Sequence, residues 1–288
     1  MKSGDLDFYR HNGAMAAPGK YQNLFDALPD DVAGLARIVP GLMLHQHLSP
    51  LYGQTLTPER HAQAQMRSLE GMLAQIVEID PRPLNEERSL DKRIIGVCRH
   101  FTLLMVAMLR AKGYAARSRC GFATYFEPGK FVDHWVAEYW LEGDKHWVMI
   151  DAQLDDVLKA RFKFDFDPLD VPRDRFIVAG NAWHMAREGG TNPDLFGIMT
   201  FTGHWFIAGN VIRDIAALNK MEMLPWDVWG AMPEFGKPVP EDKCAIFDRL
   251  AAPTRDPDTP LDRLRALYDE ARVPEEVFNS VTGKIETV

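Results

Sequence analysis

Cysteine is scarce in this sequence of 288 residues. The three cysteines, Cys98, Cys120 and Cys244, form no CxxC pair. An odd and sparse set is typical of a reducing compartment, which also keeps a reactive thiol active. We therefore expect a cytoplasmic protein.

Long apolar runs and an excess of basic residues are missing as well. No apolar stretch is long enough to span a bilayer, and the opening residues MKSGDLD contain no apolar signal segment, so we expect no membrane partner. A net charge of −8 argues against nucleic acid as a partner. The sequence has neither internal repeats nor a phosphate-binding glycine loop. Apolar residues nevertheless make up 46%, which is ample for a packed core.

The segment from residue 93 to residue 151 carries the strongest signals. Apolar residues at helical spacing from Val97 to Leu109 predict a helix that ends at Gly113, a residue suited to a left-handed cap. Gly96 would let the chain turn sharply into this helix. Cys98 falls in its first turn, where free N–H groups and the positive end of the helix dipole favour the reactive thiolate. The alternative is that Cys98 is a small buried hydrophobic residue.

A predicted β-hairpin follows the helix. Residues 134–141 and 146–151 are rich in aromatic and β-branched side chains, and residues 142–145 separate them as a turn. If Glu142 pairs with Lys145, alternation puts His134 and Asp151 on one face as diagonal neighbours, within reach of a hydrogen bond. One bulge would place them on opposite faces.

We interpret Cys98, His134 and Asp151 as a nucleophile, a base and an orienting carboxylate. Each residue has a structural alternative: His134 could be a satisfied histidine at a strand end, and Asp151 a solvated strand terminus. The three residues in one short segment favour the catalytic interpretation, in which His134 takes the thiol proton of Cys98 and Asp151 stabilises the imidazolium.

The same residues carry a family resemblance. GVCRHF at 96–101, the segment 109–117, HWVAEY at 134–139 and WVMID at 147–151 resemble, in order, the motifs of a transglutaminase-like domain of the bacterial, stand-alone type. The resemblance covers residues 89–156. It implies an α+β fold with a papain/transglutaminase-like core, in which the nucleophile helix packs on an antiparallel sheet, with additional N- and C-terminal helices. It assigns Cys98 as nucleophile, His134 as base and Asp151 as orienter.

The resemblance implies a chemistry but no single reaction. We expect a small-molecule or peptide substrate, an amide or thioester carbonyl as the target, and no cofactor. Passage of the acyl group to water would make an amidase or peptidase, whereas passage to an amine acceptor would make an acyltransferase. Protein cross-linking is disfavoured because no calcium-site pattern appears. A catalytically silent binding or scaffold protein and a metallohydrolase are the alternatives. The oligomeric state is not indicated.

Further site residues are predicted around this set. The backbone N–H of Cys98 could donate to an oxyanion, and Gln46 is a candidate for the second donor. His45 and His47 have no third ligand nearby in the sequence, so we expect no metal site. Four residues are candidates for lining the substrate cleft: Trp135, Gln153, Trp183 and His204.

Four regions follow from composition and periodicity. We expect an N-terminal helical region at 1–88 packed on the core, with 1–20 in loops and one helix over 58–79. The catalytic core spans 89–156, and 157–230 extends the same domain with helices at 173–188 and 203–220. Residues 231–288 form a segment rich in proline and charge, with a final helix at 260–271. Residues 157–230 either line the substrate site or add to the hydrophobic core.

Overall fold

Helices and short strands are interspersed along the chain in the computed structural model, which describes residues 1–288. The α-helices are α1 (Ser3–Arg10), α2 (Val32–Leu42), α3 (Pro58–Ala62), α4 (Leu69–Ile79), α5 (Cys98–Ala111), α6 (Asp156–Phe162), α7 (Ala179–Arg187), α8 (His204–Leu218), α9 (Glu241–Thr254) and α10 (Leu261–Ala271). The strands are β1 (Met43–His45), β2 (Ile94–Gly96), β3 (Ala116–Ala123), β4 (Phe131–Leu141), β5 (His146–Ile150), β6 (Phe176–Val178), β7 (Phe196–Ile198), β8 (Phe201–Thr202), β9 (Asp227–Val228), β10 (Glu276–Asn279) and β11 (Lys284–Thr287). The predicted α+β class is confirmed.

The largest sheet is mostly antiparallel. Its strand order is β6-β3-β4-β7-β8, and β5 pairs with β4 outside this path. The pairs β3–β6, β4–β5 and β7–β8 are antiparallel, whereas β4–β7 is parallel. Strand β4 is the longest because aromatic and β-branched side chains follow one another along it.

The hairpin of β4 and β5 has the predicted register. Leu141 is opposite His146 and Glu138 is opposite Met149, so the four residues between the strands form the turn. Lys145 in this turn has a positive φ of 52°. Strand β4 begins at Phe131, three residues earlier than predicted, so His134 lies inside the strand and not at its end. Alternation gives His134 and Glu138 the same face of β4.

A buried ion pair joins β3 to this hairpin. The Nε of Arg117 lies 2.7 Å from an oxygen of Glu138, and both side chains are buried. The guanidinium carbon of Arg117 lies 3.8 Å from the ring centroid of Trp147 in β5. Because both charges are out of water, loss of either one would leave the other buried without this partner. The pair therefore fixes the lateral positions of three strands.

Helix α5 is the central helix of the segment. It begins at Cys98, and every residue from Cys98 to Arg110 is buried. Gly113 has a φ of +85°, which confirms the predicted left-handed residue after the helix. The parallel pair β1–β2 precedes it, with His45 opposite Gly96. Strand β1 therefore pairs with the residues that lead directly into α5.

Contacts within the chain cluster into two compact units. Unit 1 consists of Met1–Asp5, Arg119–Trp135 and Pro172–Val288, and unit 2 of Leu6–Ser118 and Val136–Val171. The boundary between the units falls within β3, after Ser118, and within β4, after Trp135. None of the helices reaches the length and apolar character that crossing a membrane requires.

One predicted helix is two helices in the structure. The segment 58–79 contains α3, a short 3₁₀ turn at Gln63–Gln65 and α4. The prediction of a continuous helix is wrong because Ser68 adopts an extended backbone and accepts a hydrogen bond from the N–H of Gly71, which starts a new helix.

Other boundaries also differ from the prediction. The first part of 173–188 is strand β6, paired with β3, and the helix begins only at Ala179. Residues 1–20 are not all loop, since α1 forms there. Helices α6 and α9 and the hairpin β10–β11 lay outside the predicted elements. The predicted helices at 203–220 and 260–271 are confirmed as α8 and α10.

Candidate active site

Cys98 occupies the first position of α5. Val97 precedes it with an extended backbone and no side-chain cap. The first N–H groups of a helix have no partner within the helix, and the positive end of its dipole stabilises an anion. Cys98 is 6% exposed. The location therefore favours ionisation of a sulfur at this site.

His100 caps the helix that Cys98 begins. Its Nδ1 accepts a hydrogen bond from the N–H of Val97 at 3.1 Å, so its Nε2 carries the proton and donates to the carbonyl of Met66 at 2.9 Å. Burial, with a smaller contribution from Arg99, lowers the pKa of His100 to about 3. A neutral imidazole with both nitrogens occupied is a structural cap and not a base.

The close approach of His100 explains Gly96. A Cβ on Gly96 would lie 2.8 Å from the Cβ of His100, and Gly96 does not have a positive φ. The passage from β2 into α5 therefore needs no left-handed residue at Gly96. Its missing side chain makes room for the imidazole that caps α5.

Gln46 is connected to the entry of α5 through its backbone. It follows β1, and its N–H donates to the carbonyl of Gly96 at 2.8 Å. Gly96 is two residues before Cys98, and Gln46 is half-buried. The backbone bond therefore holds Gln46 beside the residues that lead to the cysteine.

Asp151 directly follows β5. Its N–H donates to the carbonyl of Pro168 at 2.9 Å, and its Oδ1 accepts from the N–H of Gln153 at 3.1 Å. At 2% exposed, Asp151 is not a solvated strand terminus. Gln153 is 3% exposed, and its Oε1 has no hydrogen-bond partner. A buried acceptor without a partner is uncommon and is a group that a ligand can satisfy.

Aromatic rings surround His134. The rings of Tyr125, Phe126 and Phe176 lie edge-on to the imidazole, with centroids 6.0, 4.9 and 6.3 Å away. His134 is 2% exposed. The adjacent Trp135 belongs to the opposite face of β4, is buried, and has an indole N–H without a hydrogen-bond partner.

Comparison with known proteins agrees with the motifs at these positions. Residues 51–152 match the family model of the transglutaminase-like superfamily. The matched transglutaminase-like segment contains Cys98, His134 and Asp151 together with α5 and the β4–β5 hairpin. The match agrees with the papain/transglutaminase-like core that the sequence resembles.

Two solved structures are also similar to the chain at low identity. A candidate cysteine protease from Cytophaga hutchinsonii is 18% identical, with a TM-score of 0.37 over 62% of this chain and 46% of that one. A transglutaminase from red sea bream is 13% identical, with a TM-score of 0.38 over 96% of this chain and 48% of that one. The chain thus spans about half the length of both. No curated protein matches the sequence.

Trp183 and His204, two of the cleft candidates, lie near each other and well beyond residues 51–152. The rings of Trp183 in α7 and His204 at the start of α8 are 5.7 Å apart. Trp183 is buried, and its N–H donates to Asp248 of α9 at 2.6 Å. The Nε2 of His204 is buried without a hydrogen-bond partner. Their contact with a substrate stays a prediction.

His45 is the last residue of β1, and His47 follows it by two residues. The rings of His45 and His47 are 5.8 Å apart, and the N–H of His47 donates to the Nδ1 of His45 at 3.3 Å. No group of three or more histidine, cysteine, aspartate or glutamate side chains is arranged to hold a metal ion. The two histidines are thus in contact because they are close in the sequence, within one turn of the backbone.

Proposed function

We propose that the protein is a cysteine-nucleophile enzyme that acts on an amide or thioester through an acyl-enzyme, with Cys98, His134 and Asp151 as its triad. The observation that carries the proposal is the family match, which spans all three residues in the expected order. The position of Cys98 at the start of a buried helix supports it, because a thiolate is stabilised there.

The hairpin register supports the pairing of His134 with Asp151. Glu138 is opposite Met149, and His134 has the same face of β4 as Glu138. Asp151 is two residues after Met149 and one residue after the end of β5. If the alternation of side chains in β5 continues for that one residue, Asp151 has the same face as Met149. The predicted diagonal neighbours are thus consistent with the register, and no bulge interrupts the pairing from Ala137 to Leu141.

The proposed reaction begins with transfer of the Cys98 thiol proton to His134. The thiolate attacks the substrate carbonyl carbon, and the backbone N–H of Cys98 and the side chain of Gln46 donate to the resulting oxyanion. His134 returns its proton to the leaving amine or thiol as the tetrahedral intermediate collapses to a thioester. Asp151 orients the imidazole and stabilises its charged form.

The second half of the reaction decides between transfer and hydrolysis. An amine or a water molecule loses a proton to His134, attacks the thioester and releases Cys98. The acceptor is an amine for an acyltransferase and water for an amidase or peptidase. We propose a small-molecule or peptide substrate, with Trp135, Gln153, Trp183 and His204 as cleft residues. The buried Oε1 of Gln153 supports this, because a substrate N–H could satisfy it.

An acyl-trapping experiment tests the proposal. The protein is mixed with p-nitrophenyl acetate, nitrophenolate release is followed, and the acetylated residue is identified by peptide mass analysis. We expect a burst of nitrophenolate with the acetyl group on Cys98, and loss of both in Cys98→Ala and His134→Ala. Cys244→Ala, which removes another buried cysteine, is the matched control. Absence of a burst, or acetyl groups only elsewhere, would favour the silent binding or scaffold protein.

We also propose that the protein acts in the cytoplasm. None of the three cysteines takes part in a disulfide. Cysteines that stay reduced are characteristic of proteins that work in a reducing compartment, where a nucleophilic cysteine also keeps its activity.

A further inference from the structure

Helix α8 carries a polar stripe although it is buried almost throughout. Asn210, Arg213 and Asp214 follow the i, i+3, i+4 spacing that gives one helix face, and all three are buried. Apolar residues occupy the neighbouring positions, such as Val211 and Ile212. Burial of polar groups is unfavourable unless they are hydrogen-bonded, so the partners of the stripe reveal what it holds.

The stripe contacts two strands of the sheet. The Asp214 carboxylate accepts from the Arg119 guanidinium at 3.0 and 2.8 Å and from the Cys120 N–H at 2.9 Å, which ties β3 to α8. The Nδ2 of Asn210 donates to the Oδ1 of Asp133 at 2.7 Å. Asp133 is the residue of β4 directly before His134.

The Asn210 side chain is itself held in one orientation. Its Oδ1 accepts from Arg213 at 3.1 Å, and Arg213 also donates to the carbonyl of Asp227 in β9 at 3.1 Å. The amide NH₂ group of Asn210 must therefore face Asp133. Burial raises the pKa of Asp133, while the bond from Asn210 and the charges of Arg213 and His134 act in the opposite direction. The Asn210 side chain thus donates to a carboxyl that is itself buried.

We propose that Asn210 and Asp133 are positioning residues for His134. The inference rests on the proposed function, in which His134 is the base. Neighbouring side chains of a strand point to opposite faces, so a bond that holds Asp133 against α8 fixes the backbone direction from which His134 projects to the other face. A base must be held close to its productive position, because a displacement of about 1 Å by a remote change can lower a rate by about 100-fold.

The test measures the rate of Cys98 alkylation by iodoacetamide against pH, with Cys98 identified by peptide mass analysis. Asn210→Ala removes the donor, and Asp133→Leu removes the acceptor. Asp133→Asn keeps an acceptor oxygen and is the conservative variant. Asn219→Ala is the matched control, because Asn219 also bonds from the end of α8, to the carbonyls of Ile215 and Leu264, but not to β4. Circular dichroism and the melting temperature of each variant show whether it is folded.

The positioning role predicts slower alkylation near neutral pH, by about 10- to 100-fold, in Asn210→Ala and Asp133→Leu. The apparent pKa of Cys98 should rise in both variants. Asp133→Asn should restore the wild-type profile, and Asn219→Ala should lower the melting temperature without a change in the profile.

Two results would overturn the inference. If Asn210→Ala has the wild-type profile although His134→Ala changes it, the positioning role fails and the proposed function stands. If His134→Ala has no effect either, the proposed function fails as well. Should Asn210→Ala not fold, the comparison of Asp133→Leu with Asp133→Asn decides: equal slowing in both would also contradict positioning through the hydrogen bond.

Discussion

The cap that His100 places on helix α5 leads to a prediction about stability. The imidazole makes two buried hydrogen bonds, one from Val97 and one to Met66. A buried hydrogen bond contributes about 1 kcal/mol, and a donor left without a partner costs about 1–3 kcal/mol. His100→Ala loses both bonds, leaves the N–H of Val97 without its cap, and opens a cavity. We therefore expect it to lower the free energy of unfolding by about 3–5 kcal/mol.

Two substitutions separate the bonds of His100. In His100→Asn an oxygen near the position of Nδ1 can still accept from Val97, whereas the bond to Met66 is lost. We expect His100→Asn to be more stable than His100→Ala by about 1 kcal/mol, the value of a helix cap. His146→Asn, an exposed histidine of β5, should stay within about 0.5 kcal/mol of wild type. Urea denaturation followed by circular dichroism measures all three.

The decrease in the free energy of unfolding at acidic pH gives a second test of the same cap. The folded protein holds the pKa of His100 at about 3, below the ordinary value of 6.5. The unfolded chain therefore binds more protons between these values, so the stabilisation from neutral His100 is complete above about pH 6.5 and declines as the pH falls toward 3. The full effect corresponds to at most about 5 kcal/mol.

His100→Asn cannot titrate at this position. Its stability should consequently fall less steeply than that of wild type between pH 6.5 and pH 4, and the difference between the two proteins should narrow. If both proteins lose stability in parallel over this range, His100 is not held neutral in the folded state, and the assignment of its hydrogen bonds is refuted.

Two further predictions concern the surroundings of the site. Gly96→Ala should destabilise the protein by about 1–3 kcal/mol, because the new Cβ would meet the His100 side chain at 2.8 Å, whereas Gly143→Ala in an open turn should have little effect; thermal unfolding compares them. Glu138→Gln should cost about 3–5 kcal/mol in urea denaturation, because Arg117 would keep a buried charge without its carboxylate partner. An equal effect of both glycine substitutions, or a stable Glu138→Gln protein, would contradict these packing and charge arguments.

The hairpin could be predicted from the sequence because its signals are local. Aromatic and β-branched residues mark both strands, and the length of the turn fixes which residues oppose each other, so Glu138 opposite Met149 follows from four turn residues. Helix α5 has the same advantage, since its apolar spacing and Gly113 lie within one segment. Both elements also carry the motifs of the family resemblance.

The interactions that support the site could not be predicted, because they join distant parts of the chain. Met66 is 34 residues from His100, and Asn210 is 77 residues from Asp133. No periodicity connects such pairs. The break between α3 and α4 had a local signal, the capping residue Ser68, which the stronger apolar spacing of the region outweighed.

The pH dependence of Cys98 alkylation tests the central claim most directly. If His134 and Asp151 ionise the sulfur, the rate of reaction with iodoacetamide should titrate well below the value of about 8.5 for an ordinary thiol. In His134→Ala the midpoint should return toward that value. A midpoint near 8.5 in the wild-type protein, unchanged in His134→Ala, would contradict the account.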